Sequence, residues 1–203
     1  MVTERDFVSP LLAALGDLAA WWQSENVPGL VIGGVAASLM GRPRLTRDVD
    51  GLVVIPDKDW PKFLSSSARF HFVPRIAKPL DFAQESRMLL LVHSKSHIPV
   101  DIALGILPFE EQAIQRAVHQ EVGNFRLPLP TPEDLIIMKA VAGRPRDLSD
   151  IEGIVATHTK LDLPRIRSQV RQFATITERP EILDQLQKLL SSQRPARKKK
   201  RKR

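Results

Sequence analysis

Residues 30–55 read LVIGGVAASLMGRPRLTRDVDGLVVI and combine a short apolar run, a glycine pair and two aspartates. The run from Leu30 to Ile32 is typical of a short buried strand, and Gly33-Gly34 leads from it into a helix-like stretch, Val35 to Met40. Paired glycines let the backbone approach a ligand closely, and a helix start offers N–H groups to an anion such as a phosphate. The stretch therefore predicts a strand, a turn and a helix whose start suits a phosphate group.

Two aspartates follow the basic loop that ends this helix. Asp48 and Asp50 stand on either side of Val49, just before a second apolar run, Leu52 to Ile55. On an extended strand both side chains point the same way, and their carboxylates repel each other unless a cation lies between them. Mg²⁺ suits such a pair, because it binds carboxylate oxygens and shares the rest of its shell with substrate phosphates. A bare Asp-x-Asp is common, however, and such acids usually face water, so the pair by itself leaves both interpretations open.

The order of these features resembles the signature of the DNA polymerase beta-type nucleotidyltransferase superfamily. The glycine pair is followed by Arg44-x-Thr46-x-Asp48-x-Asp50 and then by an apolar strand. More narrowly, the pattern is similar to the minimal branch that includes the AbiEii-like toxins of toxin–antitoxin systems. The resemblance implies that two aspartates bind Mg²⁺ and that a third carboxylate comes from a later strand. The residues that it assigns to the triphosphate are Gly33, Gly34, Ser38, Arg44 and Thr46.

A later hairpin supplies a third acid. The apolar segments Arg87 to His93 and His97 to Leu104 surround a short polar turn, which predicts two paired strands. Asp101 interrupts the second segment, where a charged carboxylate is costly unless it is paired or liganded. The resemblance makes Asp101 the third carboxylate of a catalytic site with Asp48 and Asp50 that holds two Mg²⁺ ions. His93 and His97 flank the turn without a third ligand, so we predict no zinc site there.

A second block of the sequence surrounds Lys139. Thr131-Pro132 is a helix start, and Lys139 lies within the apolar run that follows. A single lysine in such a run usually extends its amine to the surface. Yet the spacing from Glu133 to Lys139, followed by Arg144-x-Arg146-Asp147-x-x-Asp150, resembles the second signature block of the same family and implies that Lys139 contacts the nucleotide phosphates. We interpret Arg146 and Asp147 as a charged latch that orients the site, with Asp150 in a supporting role.

The chain of 203 residues is long enough for one domain with a sizeable core, or a small core with a helical extension. We predict an α+β (α/β mixed) fold with a small mixed, mostly antiparallel sheet flanked by helices. The expected parts are a nucleotidyltransferase core over 1–128, a helical part packed on it over 129–192, and a disordered basic tail over 193–203. Helical spacing predicts an amphipathic helix from Phe7 to Gln23, with Trp21 and Trp22 in the core rather than stacked on bases. The stretch from 75 to 84 is predicted to be a loop.

The charge of the chain is concentrated at its end. There are 30 basic and 23 acidic residues, and residues 194–203, RPARKKKRKR, contain eight of the basic ones. The rest is nearly neutral, so the tail is the part suited to RNA, DNA, an acidic partner or an anionic membrane surface, unless it is a solubilising or appended end. The chain has no cysteine, which excludes disulfides and thiolate zinc sites. We expect a cytoplasmic protein with no membrane span.

The resemblance implies an Mg²⁺-dependent transferase that moves an NMP from ATP or another NTP to an acceptor hydroxyl. Within the superfamily the acceptor is a tRNA 3' end, a protein hydroxyl or a small molecule such as an aminoglycoside, and the basic tail favours RNA here. An antitoxin protein is an expected partner if the chain is a toxin. The alternative from another class is a non-catalytic nucleic-acid-binding or scaffold protein that keeps the fold and uses the basic tail. These two hypotheses differ in whether any nucleotide is turned over.

Overall fold

A computed structural model describes residues 4–192, with side chains described from 9 to 191. The predicted basic tail over 193–203 lies outside these residues. The chain divides into two compact units. Among the described residues, the first contains 4–39 together with Pro43–Thr131, and the second contains Met40–Arg42 together with 132–192.

The first unit is built on a five-stranded sheet with the order β1-β2-β5-β4-β3. Strands β2 and β5 run parallel, whereas β1–β2, β4–β5 and β3–β4 run antiparallel. This arrangement confirms the predicted α+β fold with a mixed, mostly antiparallel sheet. The strands are β1 (Gly29–Val31), β2 (Val49–Val53), β3 (Phe72–Pro74), β4 (Met88–His93) and β5 (Pro99–Leu104).

A separate hairpin and a set of helices complete the first unit. The hairpin turns at Gly123, which has a φ of +61°, a conformation that glycine adopts at little cost. Its strands are β6 (Val118–Val122) and β7 (Phe125–Leu129). The helices are α1 (Glu4–Ser24), α2 (Gly33–Met40), α3 (Trp60–Ser66), α4 (Pro79–Ser86) and α5 (Pro108–Gln115).

One face of the sheet is covered by α1. The indole of Trp21 is fully buried, stacks on the ring of Phe63 with 4.3 Å between centroids, and donates a 2.8 Å hydrogen bond from Nε1 to the hydroxyl of Ser66. Trp22 is also buried and lies against the backbone of β1 and β2 at Gly29 and Gly51. Both tryptophans therefore belong to the core, as the helical spacing predicts.

The opposite face of the sheet is more open, because side chains alternate between the faces of a strand. In β4, Leu89, Leu91 and His93 are buried, while the residues between them are half-buried. Strand β5 has the same alternation, with Val100, Ile102 and Leu104 on the buried side. Asp101 consequently lies on the open face.

The prediction of a loop over residues 75–84 is wrong for its second half. Helix α4 begins at Pro79 and ends at Ser86, where Arg87 adopts the left-handed conformation with a φ of +55°. A proline such as Pro79 is compatible with the first turn of a helix, because its missing N–H is not needed there. The predicted extended strand that carries Asp50 is present as β2, which begins at Val49 and ends at Val53, two residues before the end of the apolar run at Ile55.

The second unit is helical in its described part. Its helices are α6 (Pro132–Ala142), α7 (Pro145–Thr157), α8 (Leu163–Ile176) and α9 (Glu181–Ser192). The segment Met40–Arg42 belongs to this unit, where the carbonyl of Met40 lies 2.9 Å from Nε2 of His158. None of the helices in residues 4–192 is both long and apolar enough to cross a membrane.

Candidate active site

Asp50 and Asp101 are direct register partners on the parallel strands β2 and β5. Partners in neighbouring strands project to the same face, and such strands are about 4.8 Å apart. Both residues are half-buried on the open face of the sheet, while Asp48, one residue before β2, is exposed. The carboxylates of Asp50 and Asp101 thus occupy adjacent positions on one surface, and Asp48 lies one residue before the start of β2.

The turn after β1 is shaped around Asp50. Gly33 has a φ of +62°, and a Cβ atom built on it would lie 1.8 Å from Oδ2 of Asp50. The backbone N–H of Ile32 donates a 2.9 Å hydrogen bond to the carbonyl of Asp50. The Asp50 carboxylate therefore lies against bare backbone at the first residue of α2, and position 33 has room for glycine alone.

The second glycine borders the loop that leads to Asp48. A Cβ atom on Gly34 would lie 2.7 Å from Oγ1 of Thr46 and 3.1 Å from a guanidinium nitrogen of Arg44. The buried hydroxyl of Thr46 donates a 2.9 Å hydrogen bond to Oδ1 of Asp48. The loop thus places a guanidinium and a hydroxyl beside the start of α2 and orients the first aspartate.

Ser38 holds this loop in place. Its hydroxyl lies 2.9 Å from the carbonyl of Gly34 and 2.9 Å from the carbonyl of Arg44. A hydroxyl has one proton to donate, so the two carbonyls share it. Ser38 is one of the five residues that the resemblance assigns to the triphosphate. In this structure its hydroxyl is bound to backbone carbonyls of the glycine turn and of the loop that follows α2.

Arg75 is a site residue that the sequence analysis missed. Its guanidinium forms an ion pair with Oδ1 of Asp101. Residue 75 follows β3 and belongs to the stretch that we predicted to be a loop. The pair depends on the order and register of β3, β4 and β5, and an arginine in a loop carries no local signal of such a partner. The pair could have been predicted from the strand register, if a third strand had been added at the edge of the predicted hairpin.

The carboxylate oxygens of this site are ligands of the kind that Mg²⁺ prefers, although in this structure they contact side chains of the protein. In the described range, 4–192, no group of three or more His, Asp or Glu side chains is positioned to hold a metal ion. Asp101 is bound by Arg75, and Asp48 accepts the Thr46 hydroxyl. Carboxylate oxygens on adjacent strands are nonetheless the ligands that Mg²⁺ prefers, and a cation relieves the repulsion between two such charges.

The second signature block forms a buried ion cluster in the second unit. The ammonium of Lys139, with 5% of its side chain exposed, lies 3.0 Å from Oδ1 of Asp147 and 2.7 Å from Oδ2 of Asp150. Arg144 donates a 3.0 Å hydrogen bond from Nε to Oδ2 of Asp147, whereas Arg146 is exposed. The buried ammonium of Lys139 thus offsets the charge of two buried carboxylates, and Arg144, whose side chain is 78% exposed, adds a second positive charge at Asp147. The expected contact between Lys139 and phosphates stays a prediction.

Comparison with known proteins relates most of this chain to nucleotidyltransferases. The family model described as "Nucleotidyl transferase AbiEii toxin, Type IV TA system" matches residues 18–202. The solution structure of the antibiotic-resistance factor ANT(2'')-Ia is similar with a TM-score of 0.58 at 13% identity, covering 85% of this chain and 96% of that one. The crystal structure of the lincosamide antibiotic adenylyltransferase LnuA has a TM-score of 0.48 at 13% identity, covering 77% and 99%. No curated protein sequence matches.

Proposed function

Because this chain belongs to the AbiEii family of nucleotidyltransferase toxins, we propose that it moves an NMP from an NTP to an acceptor hydroxyl in an Mg²⁺-dependent reaction. The observation that carries the proposal is the register pairing of Asp50 with Asp101, directly beside the backbone of Gly33. The pairing supports a site in which the carboxylates bind Mg²⁺ and the glycine turn at the start of α2 binds the phosphates of the same nucleotide.

The reaction joins the acceptor oxygen to the α-phosphorus and breaks the bond between that phosphorus and the bridging oxygen of the pyrophosphate. Pyrophosphate leaves, and the proton of the acceptor hydroxyl passes to a carboxylate, for which Asp101 is our proposed base. Asp48, Asp50 and Asp101 are the proposed ligands of two Mg²⁺ ions. When bound, Mg²⁺ supplies charge neutralisation at the attacking and leaving oxygens.

The remaining proposed contacts bind and orient the triphosphate. The start of α2 at Gly33-Gly34 presents backbone N–H groups and the positive end of the helix dipole. Arg44 and Thr46 border Gly34 and add a positive charge and a hydroxyl. Lys139 is proposed to contribute a further charge toward the phosphates, with Arg146, Asp147 and Asp150 in supporting roles. Such contacts act mainly by positioning the α-phosphate and stabilising negative charge.

The proposed acceptor is an RNA, such as tRNA, with a protein hydroxyl as the second candidate. The basic residues 194–203 favour RNA, because lysine and arginine runs bind phosphate backbones. The family description includes a toxin–antitoxin system, so we also propose that an antitoxin protein controls this chain. These assignments extend the family membership, which by itself names neither the acceptor nor the partner.

The test is transfer of label from each of the four α-³²P-labelled NTPs to RNA or protein of a whole-cell extract. We expect labelling that depends on Mg²⁺ and is abolished by Asp48→Ala or Asp50→Ala. Asp81→Asn is a matched control, because it removes an exposed carboxylate whose partner is Lys78. Equal labelling by the wild-type protein and the Asp48→Ala/Asp50→Ala double variant would contradict the proposal.

The rival hypothesis is a non-catalytic nucleic-acid-binding or scaffold protein. It predicts no labelling by any NTP, together with RNA or DNA binding that disappears when residues 194–203 are deleted. The enzyme hypothesis predicts that the same deletion leaves Mg²⁺-dependent turnover of the NTP measurable. The deletion therefore separates the two hypotheses in one pair of measurements.

A further inference from the structure

We propose that Arg75 is an internal counter-ion that binds the Asp101 carboxylate in place of a divalent cation and thereby sets the affinity of the site for that cation. The inference rests on the proposed function, since it takes Asp101 as a metal ligand. Arg75 acts through Asp101, so it is a positioning residue rather than a catalytic one.

The backbone places Arg75 in the same row as the two carboxylates. Its N–H donates a 3.0 Å hydrogen bond to the carbonyl of Leu90, which continues the β3–β4 pairing by one residue. Leu90 is the register partner of Asp101, and Asp101 is the partner of Asp50. Residues in one row project to one face. Arg75, Leu90, Asp101 and Asp50 thus follow one another across four strands on the open face.

The side chain of Arg75 spans the strand between it and the acid. Two strand spacings amount to about 10 Å between the backbones of residues 75 and 101. The apolar side chain of Leu90 stands between them and offers no charge to either. Arginine is long enough to cross this gap with its guanidinium, and the ion pair with Oδ1 of Asp101 shows that it does so. The guanidinium of Arg75 therefore lies at the edge of the carboxylate pair formed by Asp50 and Asp101.

The contact is suited to exchange rather than to structural fixation. The side chains of Arg75 and Asp101 are 37% and 29% exposed, so water screens the pair and it is weak enough to be displaced. The backbone of residue 75 is already attached to β4 through Leu90, so the guanidinium is not needed to hold the strand. Its main effect is to neutralise one of two adjacent carboxylates.

A cation that binds Asp101 competes with this guanidinium, because two positive charges at one carboxylate repel each other. The favourable free energy of the ion pair therefore opposes that of metal binding. Loss of Arg75 removes the positive charge in contact with Asp101, so the negative charge of that carboxylate attracts a divalent cation more strongly. Removal of the positive charge is therefore expected to tighten metal binding, which a purely structural role would not do.

The experiment titrates Mn²⁺ alone into the nucleotide-free full chain and measures free Mn²⁺ by its electron paramagnetic resonance signal. We expect Arg75→Gln to lower the Kd for Mn²⁺ by about tenfold at low ionic strength. Lys78→Gln is the matched control, because it removes the same charge three residues away from a pair with Asp81. Its Kd is expected to stay within about twofold of the wild-type value, since an exposed charge that is not in contact contributes little.

An unchanged or raised Kd in folded Arg75→Gln would overturn the inference while leaving the proposed function in place. Circular dichroism and thermal unfolding in EDTA show whether that variant folds. If it does not, Arg75→Lys decides. Lysine binds a carboxylate as a point charge rather than with a planar fork, so a Kd below the wild-type value is expected, and an equal or higher one overturns the inference. Absence of saturable Mn²⁺ binding in the wild-type chain overturns the inference and the Mg²⁺-dependent function together.

Discussion

The Oδ2 atom of Asp50 lies 1.8 Å from the point where a Cβ atom on residue 33 would stand. Gly33 is therefore needed twice, once for its φ of +62° and once for the space that its missing side chain leaves to a carboxylate. The predicted phosphate turn and the predicted metal ligand are in direct contact. A change at one of these residues must move the other.

The first prediction concerns Gly33→Ala. The positive φ costs alanine about 1–3 kcal/mol, and the new methyl group must push the Asp50 carboxylate out of place. A displacement of about 1 Å at a reacting group lowers the rate by roughly a hundredfold. We expect a loss of nucleotide transfer of that size, measured with the labelled NTP, together with a lower Tm.

Gly123→Ala provides the control for the backbone term. Gly123 has a φ of +61°, and a Cβ atom there would meet nothing within 4 Å. It turns the β6–β7 hairpin, so its substitution has the same conformational cost without contact to Asp50. We expect a smaller fall in Tm than for Gly33→Ala, because no carboxylate has to move, and we expect transfer activity to be retained. Equal activity in the two variants would contradict the role that we give to the contact between residues 33 and 50.

A second prediction follows from the hydrogen bond between Thr46 and Asp48. The Thr46 hydroxyl is 2.9 Å from Oδ1 of Asp48 and is buried, so Thr46→Val removes the donor with little change in shape. A hydrogen bond to a charged group contributes about 1.5–3 kcal/mol, which corresponds to roughly ten- to a hundredfold in transfer activity if the orientation of Asp48 matters. Thr46→Ser keeps the hydroxyl and should retain most of the activity. Loss of activity in both variants would assign the effect to packing of the loop instead.

The third prediction concerns the buried cluster of the second unit. Lys139→Met removes the ammonium that lies 3.0 Å from Asp147 and 2.7 Å from Asp150. Buried carboxylates that lose their cation lower the free energy of unfolding by about 3–5 kcal/mol. Urea unfolding should show this loss, and Lys139→Met combined with Asp150→Asn should recover part of it.

The same variant tests the role that the family resemblance gives to Lys139. If the lysine chiefly contacts phosphates, Lys139→Met should leave the free energy of unfolding unchanged and raise the Kd for NTP. If it chiefly balances Asp147 and Asp150, the loss appears in unfolding without any nucleotide present. A fall in both would mean that the lysine divides its charge between the cluster and the substrate.

The sequence predicts those parts of the site that are local. The strand, glycine pair and helix of residues 30–40 are contiguous, so their apolar runs and Gly33-Gly34 are enough to place them. Asp101 is recognisable because it interrupts an apolar strand. The mixed α+β fold and the nucleotidyltransferase family were both predicted correctly on such signals.

What the sequence does not predict depends on contacts between distant segments. The bond from Arg75 to Asp101 requires the register of three strands, and no pattern near residue 75 indicates it. Helix α4 was missed because Pro79 looks like a break when the residues after it are not considered as a first helical turn. The partners of Lys139 lie on the following helix, α7. A lysine in an apolar run indicates that its amine contacts either solvent or a ligand. The sequence does not indicate that Asp147 and Asp150 are its partners.

The last prediction concerns His93, which ties α1 to the end of β4. Its ring is fully buried, with Nε2 2.9 Å from Oδ2 of Asp17 and Nδ1 2.6 Å from the hydroxyl of Ser96. His93→Leu fills a similar volume but removes both hydrogen bonds, while the half-buried Asp17 and Ser96 can turn to water. A hydrogen bond to a charged group contributes about 1.5–3 kcal/mol, so we expect a loss of stability of at most that size in urea unfolding.

His71 supplies the comparison, because it approaches the same carboxylate from a more exposed position. Its Nε2 is 4.0 Å from Oδ2 of Asp17, and 37% of its side chain is exposed. Asparagine tolerates the positive φ of residue 71, so His71→Asn should change the free energy of unfolding by less than about 0.5 kcal/mol. If the two substitutions destabilise the chain equally, the burial of the His93 hydrogen bonds is not what fixes α1 to the sheet.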